Sequence, residues 1–274
     1  MSLTVRTNVA SIQSTGKLNA TQKSLTRTLG RISSGLRINQ AADDAAGLGV
    51  ATNLETTIIS TRQAMRNGND AISIIQTAES GTNEVTDILQ RMRELAIQSA
   101  SDTLANDERS YIQDEFLELR SEVARISHVT EFNGVALADG VTSMLNVQIG
   151  VNNDANSRIT LQLSDLTTAG LGISQLSLQT AASALLSLSV LDTALGSVNS
   201  GRSLLGAAQN RIESALNNSQ VYVEALSSAE SQIRDADFAV ETSELTKLQI
   251  MQQAGVAALA QAKNINQSVV SLLQ

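Results

Sequence analysis

The sequence predicts a mainly α protein: a long antiparallel helical rod, coiled-coil in character, with a small β-hairpin region. Three observations carry this. An uninterrupted heptad seam runs through the C-terminal half. The 274 residues contain no proline, so nothing breaks a long helix. The 42% apolar content includes no Trp, only two Tyr and three Phe, so the core must be built from Leu, Ile, Val and Ala.

The seam comprises Leu188, Leu191, Leu195, Val198, Arg202, Leu205, Gln209, Ile212, Leu216, Ser219, Val223, Leu226, Glu230 and Ile233, at alternating steps of three and four. A helix from about Ala181 to Ile233 would be about 80 Å long, too long for a compact domain of this mass. Gly196, Gly201 and Gly206 lie within it; each is either simply weak helix, at about 1 kcal/mol against Ala, or a point of close approach by a partner helix. Two shorter seams supply partners: Val85, Leu89, Met92 and Ala96, and Ile112, Phe116, Leu119, Val123 and Ile126. Residues 101–107 read as the turn between them. Asn106 is the expected N-cap, with Asp107 and Glu108 in the first turn and His128 near the C-terminus.

Glu131-Phe132-Asn133-Gly134 ends the helical pattern, and Gly134 suits a left-handed position. Leu145, Val147 and Ile149 then alternate, as do Ile159, Leu161 and Leu163, around the polar stretch 152–156, which reads as a β-hairpin within a region of about 135–175. Gly170 and Gly172 mark the return to helix.

Both ends are helical and poor in large apolar residues. Val5, Val9 and Ile12 open an N-terminal stripe, which Leu18, Leu25, Leu29, Ile32 and Leu36 continue in a shifted phase. The C-terminal seam is Leu248, Gln252, Gly255, Leu259, Ala262, Asn266, Val269 and Leu273. Residues 1–40 carry six basic groups and no acid, whereas residues 230–244 carry five acids against Arg234, which favours pairing of the ends. So thin a seam is marginal alone and is expected to order when a partner covers it. The implied organisation is a coiled-coil domain of paired termini from residues 1–44 and 234–274, and a rod domain from 45–233.

Chemistry is excluded on several grounds. There is no Cys and a single His, so thiolate sites, disulfides and His-based triads are out. Net charge is −8, against a generic nucleic-acid binder, and the basic residues 6–37 have no interleaved aromatics to stack on bases. Asp43 and Asp44 are adjacent and do not share a helix face. Gly47 and Gly49 lack the sequel of a phosphate loop. No apolar run approaches the ~20 residues of a membrane span, and no cleavable signal is evident. No cofactor and no metal is expected, and the protein is read as no enzyme.

Specific motifs follow: Thr7-Asn8-Val9; Leu29-Gly30-Arg31-Ile32-Ser33-Ser34-Gly35-Leu36-Arg37-Ile38-Asn39; Ala42 to Leu48; Gln90 to Gln98; Glu131 to Gly134; Ile250 to Gly255; Leu259 to Ala262; and Ser271-Leu272-Leu273. Over roughly 1–140 and 180–274 the chain resembles bacterial flagellin, in a short form without large outer domains. The family resemblance makes the coiled-coil domain of paired termini the inner one. The resemblance implies a structural subunit that polymerises into the flagellar filament and gives motility; the alternatives are a hook–filament junction or other axial adaptor, or a cytoplasmic coiled-coil binding rod. It implies a self-assembly seam at Leu25, Leu29, Ile32, Leu36, Leu248, Leu259, Val269, Leu272 and Leu273. It implies copies of itself as partners, with an export chaperone and cap or junction proteins, type III export without a cleaved signal, and an extracellular location. It also implies recognition by the animal Toll-like flagellin receptor through Arg91, Leu95 and Glu115, a surface taken up by neighbouring subunits in the filament. Arg91 and Leu95, four residues apart, are expected to share an outward face, with Met92 inside.

Overall fold

The computed structural model describes residues 7–271, and side chains as far as residue 264. The elements in order are α1 (Val9–Ser34), α2 (Ala45–Ser99), α3 (Asn106–Val129), β1 (Glu131–Phe132), β2 (Val135–Ala136), β3 (Met144–Gln148), a 3-10 turn (Ala155–Ser157), β4 (Arg158–Gln162), α4 (Ala181–Arg234) and α5 (Phe238–Ser271). The chain gathers into two compact units. One takes the chain up to Thr56 together with the chain from Glu224 onward; the other is Thr57–Val223.

In the second unit α2, α3 and α4 share a core of Val85, Leu89, Met92 and Leu95, Ile112, Phe116, Val123 and Ile126, and Leu191, Ala194 and Val198. Every heptad position read from the sequence is buried or half-buried on α4, and Ala184, Ser187, Ala194, Gly201 and Ala208 are buried besides. Arg93 of α2 pairs with Asp192 of α4 at 2.7 Å, and Arg202 of α4 approaches Glu79 of α2 at 3.9 Å, so the two helices run antiparallel. The β3–β4 hairpin is antiparallel, with Leu145 opposite Leu161 and Val147 opposite Ile159. Its alternating inner face packs with Ala71, Ile75 and Ala78 of α2 and with Leu205, Ala208 and Ile212 of α4. Asp154 accepts from the Ser157 backbone N–H at 2.7 Å and closes the 3-10 turn at the hairpin tip.

Several expectations are corrected here. Asn106 is not the N-cap of α3: the cap is Ala105, and the Glu108 carboxylate accepts from the Ala105 N–H at 2.9 Å, which does half the work of a capping box. Among the three glycines of α4, only Gly201 is approached closely, and by Ser164 beyond β4 rather than by a helix; Gly196 and Gly206 face open space. By length and composition α4 could also cross a membrane, with an 18-residue window of mean hydropathy 1.5, contrary to the reading from short apolar runs. Ala184, Leu191, Ala194 and Val198 of α4 belong to the shared core, whereas Leu185, Leu186 and Leu204 are exposed.

Residues 164–180 were featureless in sequence, yet they are anchored. Leu166, Leu171, Ile173 and Leu178 are buried, the Leu178 N–H donates to the Gln113 side chain, and the Arg120 guanidinium donates to the Ser174 carbonyl at 2.7 Å. Arg109, buried on α3, donates to the carbonyls of Ser99 and Ser101 at 3.0 and 2.8 Å and so satisfies the C-terminal end of α2.

In the first unit α1 and α5 pack antiparallel. Asn8 donates to the Ala262 carbonyl at 2.9 Å, Gln252 to Gln22 at 2.6 Å, and Arg31 pairs with Glu241 at 3.2 Å. Asn8 also caps α1, accepting from the Ser11 N–H at 2.9 Å, and Gly35 ends it in the left-handed conformation at φ 72°. The Arg37 N–H then donates to the Arg234 carbonyl at 2.7 Å and Ala236 to the Gly35 carbonyl at 2.9 Å, which ties the end of α1 to the α4–α5 junction.

Candidate assembly and contact surfaces

On α1 the residues turned toward α5 are Ser14, Leu18, Thr21, Leu25, Thr28 and Ile32, spaced four, three, four, three, four. On α5 they are Leu248, Gln252, Gly255, Leu259 and Ala262, as the sequence spacing gave. The absence of a side chain at Gly255 admits Leu18: a methyl group there would stand 3.3 Å from the Leu18 Cδ1. Leu25 and Leu248 are buried, and Ile32, Leu36 and Leu259 are half-buried.

Leu29 departs from the expected seam. It is 47% exposed, because the helix turns Thr28, not Leu29, toward α5. Val9, Ile12 and Leu29 on α1, and Phe238, Val240, Ile250, Met251 and Val256 on α5, are all exposed. Apolar residues at this density on a two-helix element exceed the scattered singles normal for a monomer. The side chain of Val269 and residues Leu272 and Leu273 lie outside the described part of the structure.

Asp43 and Asp44 have structural work. The Asp43 carboxylate accepts from the Gln40 N–H at 3.2 Å and lies 3.8 Å from Arg27 and from Arg31. Asp44 accepts from the Gly47 N–H at 2.8 Å and opens α2.

On the second unit the structure brings Arg91 and Glu115 together. The Arg91 guanidinium donates twice to Glu115, at 3.0 and 2.8 Å, and once to Glu94 at 2.9 Å. The hydrogen bond that the guanidinium donates to Glu94, then that to Glu115, holds it above its ordinary pKa. All three side chains are substantially exposed. Met92 is fully buried, as expected. Leu95 is not on the outward face: it is 1% exposed and sits in the core shared with α3 and α4. The sequence reading placed one buried stripe on α2, whereas the helix is covered by two neighbours and buries two. Among the described residues no group of three His, Cys, Asp or Glu is arranged to hold a metal ion.

End helices that pair with each other and leave apolar residues facing solvent have the build of a protein that associates through its ends. The sequence model described as "Bacterial flagellin N-terminal helical region" matches residues 5–143, and that described as "Bacterial flagellin C-terminal helical region" matches 188–273. A flagellin of Halalkalibacterium halodurans is 40% identical over 257 residues, covering 94% of this chain and 93% of that one. A flagellin of Bacillus subtilis is 37% identical, covering 97% and 98%. The flagellar filament 33 kDa core protein of Treponema phagedenis is 38% identical, again covering 97% and 98%. Among solved structures, Bacillus cereus flagellin is 31% identical and overlaps 56% of this chain and 88% of that one at a TM-score of 0.50. A putative flagellar hook-associated protein of Vibrio parahaemolyticus, 14% identical, shares the fold over 70% of this chain at a TM-score of 0.59.

The chain belongs to the bacterial flagellin family. It is a structural subunit of the flagellar filament, and not an enzyme.

Proposed function

We propose that the α1·α5 pair is the assembly element through which copies polymerise into the motile filament. In this reading Leu25, Ile32, Leu36, Leu248 and Leu259 hold the pair together. Leu29, with Val9, Ile12, Val256 and other exposed apolar residues, meets the next copy, and Val269, Leu272 and Leu273 extend the seam. The observation that carries this is the exposed apolar set on both helices. Burying an apolar side chain of this size in a neighbour contributes about 1.5–3 kcal/mol, enough in sum to order a helix pair that is marginal alone.

The test is electron microscopy of purified protein at high concentration. Wild type should form long filaments, Leu29→Asp and Leu259→Asp none, while both variants retain the folded second unit by circular dichroism. Normal filaments from both variants would refute the assignment.

Family membership also supports a subunit exported through the flagellar type III apparatus without a cleaved signal, accompanied by an export chaperone, built under cap and junction proteins, and resident outside the cell. It supports recognition of the monomer by the animal Toll-like flagellin receptor at Arg91 and Glu115, which the same contact to a neighbouring subunit would hide in the filament. Leu95 enters that reading only as the buried support beneath Arg91. A reporter-cell assay should show signalling lost with Arg91→Ala or Glu115→Ala, without loss of fold; equal signalling from wild type and both variants refutes it.

A further inference from the structure

α1 carries Lys23, Arg27 and Arg31 at successive steps of four, a spacing at which like charges repel. Together with Asn39, Gln40 and Asp43 of the α1–α2 connection they line a cleft of about 240 Å³. One carboxylate in the cleft answers three cations. Its Oδ1 stands 3.8 Å from Arg27 and 3.8 Å from Arg31, beyond hydrogen-bond reach. Its Oδ2 is occupied by the Gln40 N–H at 3.2 Å and approached by the Asn39 N–H at 3.4 Å. From α5, Glu241 takes one terminal nitrogen of Arg31 at 3.2 Å. The Nε of Arg31 is buried with no acceptor, and an unmet buried donor is destabilising. Among the described residues Lys23 makes no ion pair. The cleft is open to solvent on the side of Arg27, whose side chain is 64% exposed. Planar guanidinium donors with an ammonium beside them match an oxyanion.

We propose that this cleft is a socket for a carboxylate side chain of a second copy of the chain. The inference rests on the filament reading above. Its warrant for the occupant is charge. Six of the 19 basic residues precede the first acid, Asp43, so all 27 acids lie on the remainder of the chain. Copies carrying −8 each repel at long range, and α1 is the acid-free surface that an acidic face of a neighbour can approach. In a polymer of one chain type, the oxyanions held permanently at a neighbour's surface are carboxylates.

The test uses filaments assembled from equal parts ¹⁴N- and ¹⁵N-labelled protein, treated with a water-soluble carbodiimide, which joins an amine to a touching carboxylate. The expected result is a mixed-isotope cross-linked peptide pair containing Lys23, seen in filaments, not seen in monomer, and reduced in Arg27→Gln filaments. The Lys23→Gln/Arg27→Gln variant should melt like wild type and assemble about tenfold more slowly at low salt, the gap closing as salt screens the contact. Wild-type filaments in which Lys23 couples only within its own copy, or not at all, overturn the proposal and leave the filament reading standing. Failure of wild type to form filaments overturns both. Saturable binding of inorganic sulfate to the monomer, with no mixed-isotope Lys23 product, assigns the cleft to a free oxyanion and overturns it as well.

Discussion

Leu95 and Arg91 stand about one turn apart on α2 and meet opposite environments. Leu95→Ala removes a side chain that is 1% exposed and leaves a cavity in the three-helix core; it should cost about 2–5 kcal/mol, read as a lower urea midpoint by circular dichroism. Arg91→Ala removes only exposed ion pairs and should change the midpoint by less than about 1 kcal/mol. A larger loss for Arg91→Ala than for Leu95→Ala would reverse the assigned facing. Met92 was legible because it lies on the 85–89–92–96 seam. Leu95 was not, because one sequence shows an apolar stripe without showing how many helices cover it. Acid adds a test at the hairpin tip. Hydrogen bonds from the Ser157 hydroxyl, then from its backbone N–H, hold the Asp154 carboxyl below its ordinary pKa. A depressed folded-state pKa means that this cap stabilises above the ordinary carboxylate pKa of about 4 and fades as pH falls through the lower folded value. The Ser157 amide resonance should therefore shift on acidification only at pH below about 4, and should not shift there in Asp154→Asn.

At the scale of elements, the glycines of α4 separate propensity from packing. Gly196→Ala and Gly206→Ala place a methyl group in open space and should each raise stability by about 0.5–1 kcal/mol. Gly201→Ala meets the Ser164 side chain and should give no gain or a loss. Equal gains at all three, in thermal melts, would contradict the packing found at Gly201. The bounds of α4, the alternation of the hairpin and the α5 seam could be read directly, since heptads and period-2 alternation are strong signals. The anchored stretch 164–180 could not: its four buried leucine and isoleucine positions follow no period, and its hydrogen bonds run to Gln113 and Arg120, distant in sequence. The α1 seam was half legible. A leucine-weighted reading chose Leu29, but the helix turns the small polar residues Thr21 and Thr28 inward, as well as Leu18 and Leu25.

At the scale of the whole molecule, the two units differ in how their cores are filled. The second has fully buried Phe, Met, Leu and Ile side chains, whereas six of the eleven α1·α5 seam positions are Ser, Thr, Gln, Gly or Ala and none is aromatic. Hydrogen exchange of monomer should find the amides of α1 and α5 exchanging well before those of α2 around Leu89 and α4 around Leu191; equal protection throughout would contradict this ordering.

Pairing α1 with α5 also has a consequence in time. The Asn8 hydrogen bond to Ala262 spans 254 positions of sequence, and closing so long a loop from an unfolded chain costs on the order of 5 kcal/mol of entropy. The contacts of Thr57–Val223 are formed within one continuous stretch and can come first. Once that stretch has condensed, the free lengths left to search are only its two flanks, so closure becomes cheaper. The first helix made is thus among the last to find its partner: during synthesis, N-terminus first, α1 waits unpaired until α5 has been made.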